Sequence, residues 1–403
     1  MRDLKKFQDQ MAKCSFCEFC QAACPVYLED LLETHVARAR MNLISACLLE
    51  NSLPVSKRFE EVVNRCLLCT NCVQACPARI PVDEIVVSAR YKLYGGKRGN
   101  IVKRKLLRQF MEQRGFGSVL AKAGAFAAGT GLFPQDFPAP AARPFSETRR
   151  GVIPAEGKKR ARVAYFVGCA TNSFYPGTAE DVIKVLTRNG IEVLIPEGLC
   201  CCGLPALVEG DLDTAQELAV KNFSVLTGLD VDAVVTDCTS CGRSLKVKAA
   251  KTIPENHPMF LKAMTLAPKV WEATDYLNTI GLADEPSAFP QKITYHIPCH
   301  RGWNSTIANA PRSLLAKIPG LQFAEMEFPE KCCGAGGTFF MEYKELSQGI
   351  RSKKIEDILQ TSAKILITQC PSCRSYLAPA LPGLKIMHPV SLLARAYGLG
   401  KES

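Results

Sequence analysis

The 403-residue chain has no apolar run long enough to cross a bilayer. Its longest weakly polar stretch, Ala123 to Phe133, covers 11 residues rich in Gly and Ala, against the roughly 20 that a transmembrane helix needs. Met1 to Lys13 is charged and lacks the apolar region of a secretory signal. A dinucleotide fingerprint is missing too. Gly334-Ala-Gly336-Gly337 starts like G-x-G-x-x-G but carries Phe339 at the sixth position. No nucleophile-and-base motif stands out. These absences argue against a membrane span and against a chain that holds a nicotinamide or flavin by the usual glycine turn. They predict a cytoplasmic protein, peripheral at most to the inner face of the membrane, in a compartment where thiols stay reduced.

Cysteine, by contrast, is abundant, at 20 residues. In a chain this long, cysteines at metal-type spacings point to metal rather than to a disulfide scaffold. Cys14, Cys17, Cys20 and Cys24 precede Pro25, and Cys66, Cys69, Cys72 and Cys76 precede Pro77. Each run reads C-x2-C-x2-C-x3-C-P, the spacing of a cubane iron–sulfur site, in which the fourth cysteine ligates the other cluster. One cluster is therefore expected on Cys14, Cys17, Cys20 and Cys76, and the other on Cys66, Cys69, Cys72 and Cys24. Zinc, the alternative, usually takes paired C-x2-C units closed at four ligands.

Residues 1–95 read as a helical two-cluster ferredoxin domain, because the 41 residues between the runs are too many for a compact β-ferredoxin. Helices are expected over Glu33–Glu50, from a Ser56 cap onward, and from Pro81 to about Leu93. Cys47 falls on an apolar helical face and reads as a core thiol. Residues 96–160 read as a connector, first basic and amphipathic, then Pro-rich. The formal charge is +11, and nine Lys/Arg against one acid lie between Arg90 and Arg114. That stretch is either a solvated helical face or a docking surface for a membrane or an acidic partner. No nucleic-acid fold signature accompanies it.

Residues 161–290 and 291–403 form an internal repeat. Cys169, Cys201, Cys202, Cys238 and Cys241 recur as Cys299, Cys332, Cys333, Cys370 and Cys373, at offsets of 130 to 132. Short apolar strands ending at these cysteines alternate with helices, which predicts parallel α/β units with ligands at the carboxyl ends of the strands. The fold class expected is thus α plus α/β. Cys200 has no counterpart, since position 331 is Lys, and reads as spare. His296 and His300 flank Cys299. Each either hydrogen-bonds a cluster sulfur or is satisfied structurally at a strand end. His388, before Pro389, reads as a turn or cap residue.

These motifs resemble the iron–sulfur subunit of bacterial glycolate oxidase and of related D-lactate and anaerobic glycerol-3-phosphate dehydrogenases. Tyr295-His296-Ile297-Pro298-Cys299-His300, the Cys332-Cys333-Gly334-Ala335-Gly336-Gly337 turn and His388-Pro389-Val390 carry the resemblance, which spans nearly the whole chain outside 96–160. The duplicated part, the CCG domain, is also similar to the CCG-bearing subunit of heterodisulfide reductase. The resemblance implies a further, non-cubane four-iron cluster on the five cysteines of each repeat. The first repeat departs from it, with Val167-Gly168-Cys169-Ala170 in place of Pro-Cys-His. It further implies an electron-transfer subunit with a FAD-containing 2-hydroxy-acid oxidase as partner and quinone or another carrier as acceptor. A disulfide reductase working at a CCG cluster is the alternative.

Overall fold

The computed structural model describes residues 1–99, 101–113, 138–301, 306 and 308–400. The Ala123–Phe133 stretch and Arg114 lie outside them. Among the described residues, no helix is long and apolar enough to cross a membrane.

The N-terminal unit is helical. Ser56 caps the helix Lys57–Asn64 by accepting from the Phe59 N–H at 3.2 Å, which satisfies one of the free donors of the first turn. The helix Val82–Tyr94 follows Pro81 and stops at Gly95, whose φ of +54° suits a left-handed cap. The helix expected over Glu33–Glu50 is broken into a 3-10 turn at Glu33–His35, an α-helix at Ala37–Ile44 and a π-helical turn at Ser45–Leu49. Val36 is the cause: its backbone is extended, with ψ at 149°.

The rest of the chain holds two sheets. The first comprises β1 (Gly151–Ile153), β2 (Ala161–Tyr165), β3 (Ile191–Ile195), β4 (Ala233–Thr236) and β5 (Val270–Glu272), in the order β1-β3-β2-β4-β5. The second comprises β6 (Lys292–Tyr295), β7 (Gln322–Phe323), β8 (Ile365–Ile367) and β9 (Lys385–Met387), in the order β7-β6-β8-β9. All pairings are parallel except β1 with β3. The Pro-rich connector, expected as loop, thus supplies an edge strand, and its Phe145 is fully buried.

In both sheets the first strand of the repeat lies between the second and the third. The strand order therefore reverses between β2 and β4, and again between β6 and β8. Such switch points leave a crevice at the carboxyl ends of the strands. One apolar core runs through both sheets, with Val163, Tyr165, Ile293, Tyr295 and Ile367 among its members.

The duplication extends to buried polar contacts. Tyr165 donates to Asp237 Oδ1 at 3.0 Å, and Tyr295 donates to Gln369 Oε1 at 2.5 Å. His388 caps its helix by accepting from the Val390 N–H at 3.1 Å, as Glu272 does from Thr274 at 2.9 Å.

Candidate metal centre

In each N-terminal cysteine run the loop is wound by residues in the left-handed region. Phe16 and Glu18 have φ of +57° and +66°, and their counterparts Leu68 and Thr70 have +53° and +66°. That backbone is costly for residues with a Cβ. Its recurrence at matching positions shows the same tight wrap built twice. Cys24, Cys66, Cys69 and Cys72 line one cavity. Cys14, Cys17, Cys20 and Cys76 line another, with Cys72 in the wall as well. The last cysteine of each run thus joins the other run's first three.

In the repeats, the cysteines sit at the strand ends. Cys169 opens the helix after β2, and Cys238 and Cys370 are the N-caps of the helices after β4 and β8. Gly203 and Gly334, after the cysteine pairs, have φ of +82° and +91°. A Cβ on Gly334 would lie 2.6 Å from the Ser347 carbonyl oxygen, so only glycine fits that turn. Gly168 has an ordinary φ of −65°, but a Cβ there would lie 2.9 Å from Cys241 Sγ, so a larger residue would press on that thiol.

The ten repeat thiols form one continuous file. Cys169 Sγ is 3.5 Å from Cys201 Sγ, and Cys201 adjoins Cys202, which adjoins Cys241. Cys241 adjoins Cys238, and Cys238 meets Cys370 across the junction of the repeats. Cys370 adjoins Cys373, whose Sγ is 3.4 Å from Cys333 Sγ, and Cys332 and Cys299 end the file. Thiols pointing at them from both sides hold Cys202, Cys332 and Cys370 well below the ordinary thiol range. Cys332 in turn neighbours Cys69 of the N-terminal unit, whose thiol burial raises. Cys24, Leu67, Cys69, Cys332 and Phe339 share an apolar cluster there.

Residues without a sequence motif hold this arrangement. Asn222 donates to the Cys201 carbonyl at 2.8 Å and accepts from the Cys200 N–H at 2.9 Å. Ser244 donates to the Cys202 carbonyl at 2.6 Å. Arg90, fully buried, donates to the carbonyls of Val63, Asn64, Cys66 and Val208. It ties the second cysteine run to the first repeat and is no part of a solvated face. Arg98 likewise pairs with Glu209 at 2.7 Å and with Glu342. Asp83 meets Arg243 at 3.0 Å and Lys248 at 2.8 Å, and Glu84 meets Lys248 at 2.6 Å. Although burial opposes it, Lys248 and Arg243 hold the Asp83 carboxyl well below its usual range. Cys47 and Cys200 are buried, with Sγ facing the carbonyls of Pro54 and Leu218.

The two histidines beside Cys299 differ. His300 is satisfied, with Nδ1 2.9 Å from Ser240 Oγ and Nε2 3.1 Å from the Leu68 carbonyl. It therefore bridges the first repeat and the second cysteine run. His296 is fully buried, and neither ring nitrogen has a hydrogen-bond partner among the described residues. One of its ring nitrogens and the sulfurs of Cys333 and Cys373 lie within 4.8 Å of one another. Burial, with Lys354 nearby, pushes its pKa down to about 3, so the ring is neutral.

Comparison with known proteins bears on this architecture. Residues 163–246 and 293–378 match the CCG cysteine-rich domain, and residues 10–80 match a 4Fe-4S dicluster domain. An uncharacterized iron–sulfur protein of Methanococcus maripaludis is 30% identical over 98% of this chain and 74% of its own length. This chain belongs to the CCG-domain iron–sulfur proteins. The probable glycolate oxidase iron–sulfur subunit of Bacillus subtilis is 26% identical over 91% of this chain and 88% of its own. One subunit of the dihydromethanophenazine:CoB–CoM heterodisulfide reductase of Methanosarcina acetivorans is 26% identical over 98% and 95%. This CCG-domain protein carries several iron–sulfur clusters and is an electron-transfer subunit of the oxidoreductase type.

Proposed function

We propose that this CCG-domain protein takes electrons from a FAD-containing 2-hydroxy-acid oxidase subunit, acting on glycolate or D-lactate, and passes them to a downstream carrier such as quinone. The carrying observation is the succession of neighbouring sulfur sites from the surface inward. Cys17 is exposed, between Phe16 and Phe19, which are 58% and 59% exposed. From that site the sulfurs continue through Cys72 and Cys69 to Cys332, then along the repeats to Cys169.

The two cubane clusters are assigned to Cys14, Cys17, Cys20 and Cys76, and to Cys66, Cys69, Cys72 and Cys24. One or two further clusters, non-cubane in the reading favoured here, are assigned to Cys169, Cys201, Cys202, Cys238 and Cys241, and to Cys299, Cys332, Cys333, Cys370 and Cys373. The donor set fits: all of these are thiols, and several are buried so that water is excluded. Bound iron–sulfur clusters supply one-electron exchange, at potentials from about −700 to +450 mV depending on surroundings. Oxidation of a 2-hydroxy acid to the 2-oxo acid releases two electrons, and a hydride acceptor such as flavin must take them first. The chain's own contribution is to bind the partner, exclude water and order the sites.

Purified alone with its clusters intact, the chain is expected not to oxidise glycolate or D-lactate with any dye. Supplied with the flavoprotein and substrate, it is expected to become reduced. Substrate turnover by the flavin-free chain would overturn the proposal.

One observation favours a second reading. A cavity of about 840 Å³ lies between the N-terminal unit and the second repeat, with Cys332, Arg301 and Lys331 in its wall. A disulfide reductase needs such access to its cluster. Rapid reduction of a small disulfide by the isolated, pre-reduced chain would promote that reading.

A further inference from the structure

His296 and Phe166 occupy the same place in the two repeats. Each lies three residues before the first cysteine of its repeat. Each donates its backbone N–H across the sheet, His296 to Ile367 at 3.1 Å and Phe166 to Val235 at 2.8 Å. Both side chains are fully buried. The phenyl ring shows that this position accepts a wholly apolar group. An imidazole there without a partner leaves a donor and an acceptor out of water and unbonded, which is unfavourable. Buried polar groups are nearly always paired. Yet both nitrogens of His296 are unpartnered among the described residues, beside Cys333 and Cys373.

We infer that His296 donates a ring N–H directly to a sulfur of the second-repeat cluster, a contact that Phe166 denies the first repeat. The inference rests on the assignment of Cys333 and Cys373 as ligands. The polar neighbours on either side are already engaged and leave the sulfurs as the nearest partners. His300 already has two partners, and Lys354 is taken up by Asp357 at 2.9 Å and by the Phe328 carbonyl. An N–H aimed at sulfur favours the more negative, reduced form, so the second repeat is held at a higher potential than its duplicate. Hydrogen bonds to sulfur are one of the levers that set such potentials. The duplicated sites are thereby made unequal, and electrons entering at the Cys69–Cys332 contact settle first in the second repeat.

The test uses the full chain purified without oxygen. Pulsed paramagnetic resonance of wild-type protein carrying 15N-histidine is expected to show a weak nitrogen coupling to the second-repeat signal. His296→Phe, which copies the first repeat, is expected to abolish that coupling and shift the midpoint potential of this signal downward. Iron content and the cubane signals should be unchanged. His296→Asn, which restores an N–H, should recover much of the shift. Absence of the coupling in wild type, or an unshifted potential in His296→Phe, would overturn the inference. Loss of second-repeat iron in both variants would also overturn it, by making His296 a ligand. Iron missing from the second repeat of the wild type would instead strike the ligand assignment beneath it.

Discussion

Cys24 and Cys76 do the least obvious work at the residue scale. Each is followed by a proline and lies in the cavity of the other run's first three cysteines. Cys76→Ser is therefore expected to alter the same paramagnetic signal as Cys14→Ser, and Cys24→Ser the same signal as Cys66→Ser. Loss of one common signal in Cys76→Ser and Cys66→Ser would break the assignment. The proposed pairing follows in the sequence from C-x2-C-x2-C-x3-C-P, whose fourth cysteine serves the other cluster. The two histidines are not. Both flank Cys299, but His300 finds Ser240 and Leu68 from distant segments while His296 finds neither. Arg90 was unreadable for the same reason: its partners are backbone carbonyls, which leave no trace in side-chain pattern.

At the scale of elements, the helix Val82–Tyr94 is the fastener between the N-terminal unit and the first repeat. Its Asp83 and Glu84 meet Arg243, Lys248 and Lys251 in a largely buried network. Removing one partner of such a network strands buried charge. Asp83→Ala is expected to destabilise the protein by about 3–5 kcal/mol, measured by denaturant unfolding without oxygen. A loss below about 1 kcal/mol would place the network in the class of weak surface pairs.

The helix Ile101–Glu112 carries the surviving part of the basic stretch. Arg108 is engaged by Glu112 and Glu217, whereas Ile101 and Val102 are 57% and 58% exposed. Reversing Arg104 and Lys105 to Glu is expected to weaken association with an acidic partner or an anionic vesicle, and added salt should do the same. Salt-insensitive, unchanged association would reduce the helix to a solvated face.

Strands of four or five residues, β2, β3 and β4, were readable as apolar runs. Three-residue β1, β5 and β9 were not: unlike the equally short β8 (Ile365–Ile367), which runs up to Cys370, they end at no cysteine that marks them. The Glu33–Glu50 pattern holds helical spacing, but the extended Val36 breaks it, and no residue there announces a stop.

On the scale of the whole molecule, the N-terminal unit touches both repeats in different ways. It packs on the first through a broad apolar core that includes Met41, Val86, Leu207 and Phe223. It meets the second where Leu67 lies against Gly336, at which a Cβ would come within 2.1 Å of Leu67 Cδ2. That second contact brings Cys69 to Cys332 and turns separate sulfur sites into one succession. Duplication and cysteine spacing made the sites visible in sequence. The junctions between them, Cys69 with Cys332 and Cys238 with Cys370, depend on packing between units and were not visible.

The central claim is that electrons cross from the N-terminal unit into the repeats at Cys332. The most direct measurement follows the Cys332→Ser chain in its complex with the flavoprotein partner after substrate is added. Partner flavin and N-terminal cubane signals should be reduced as in wild type, while onward transfer to the external acceptor is interrupted. Onward transfer at the wild-type rate, with the Cys332→Ser signal of the second repeat altered, would contradict the account.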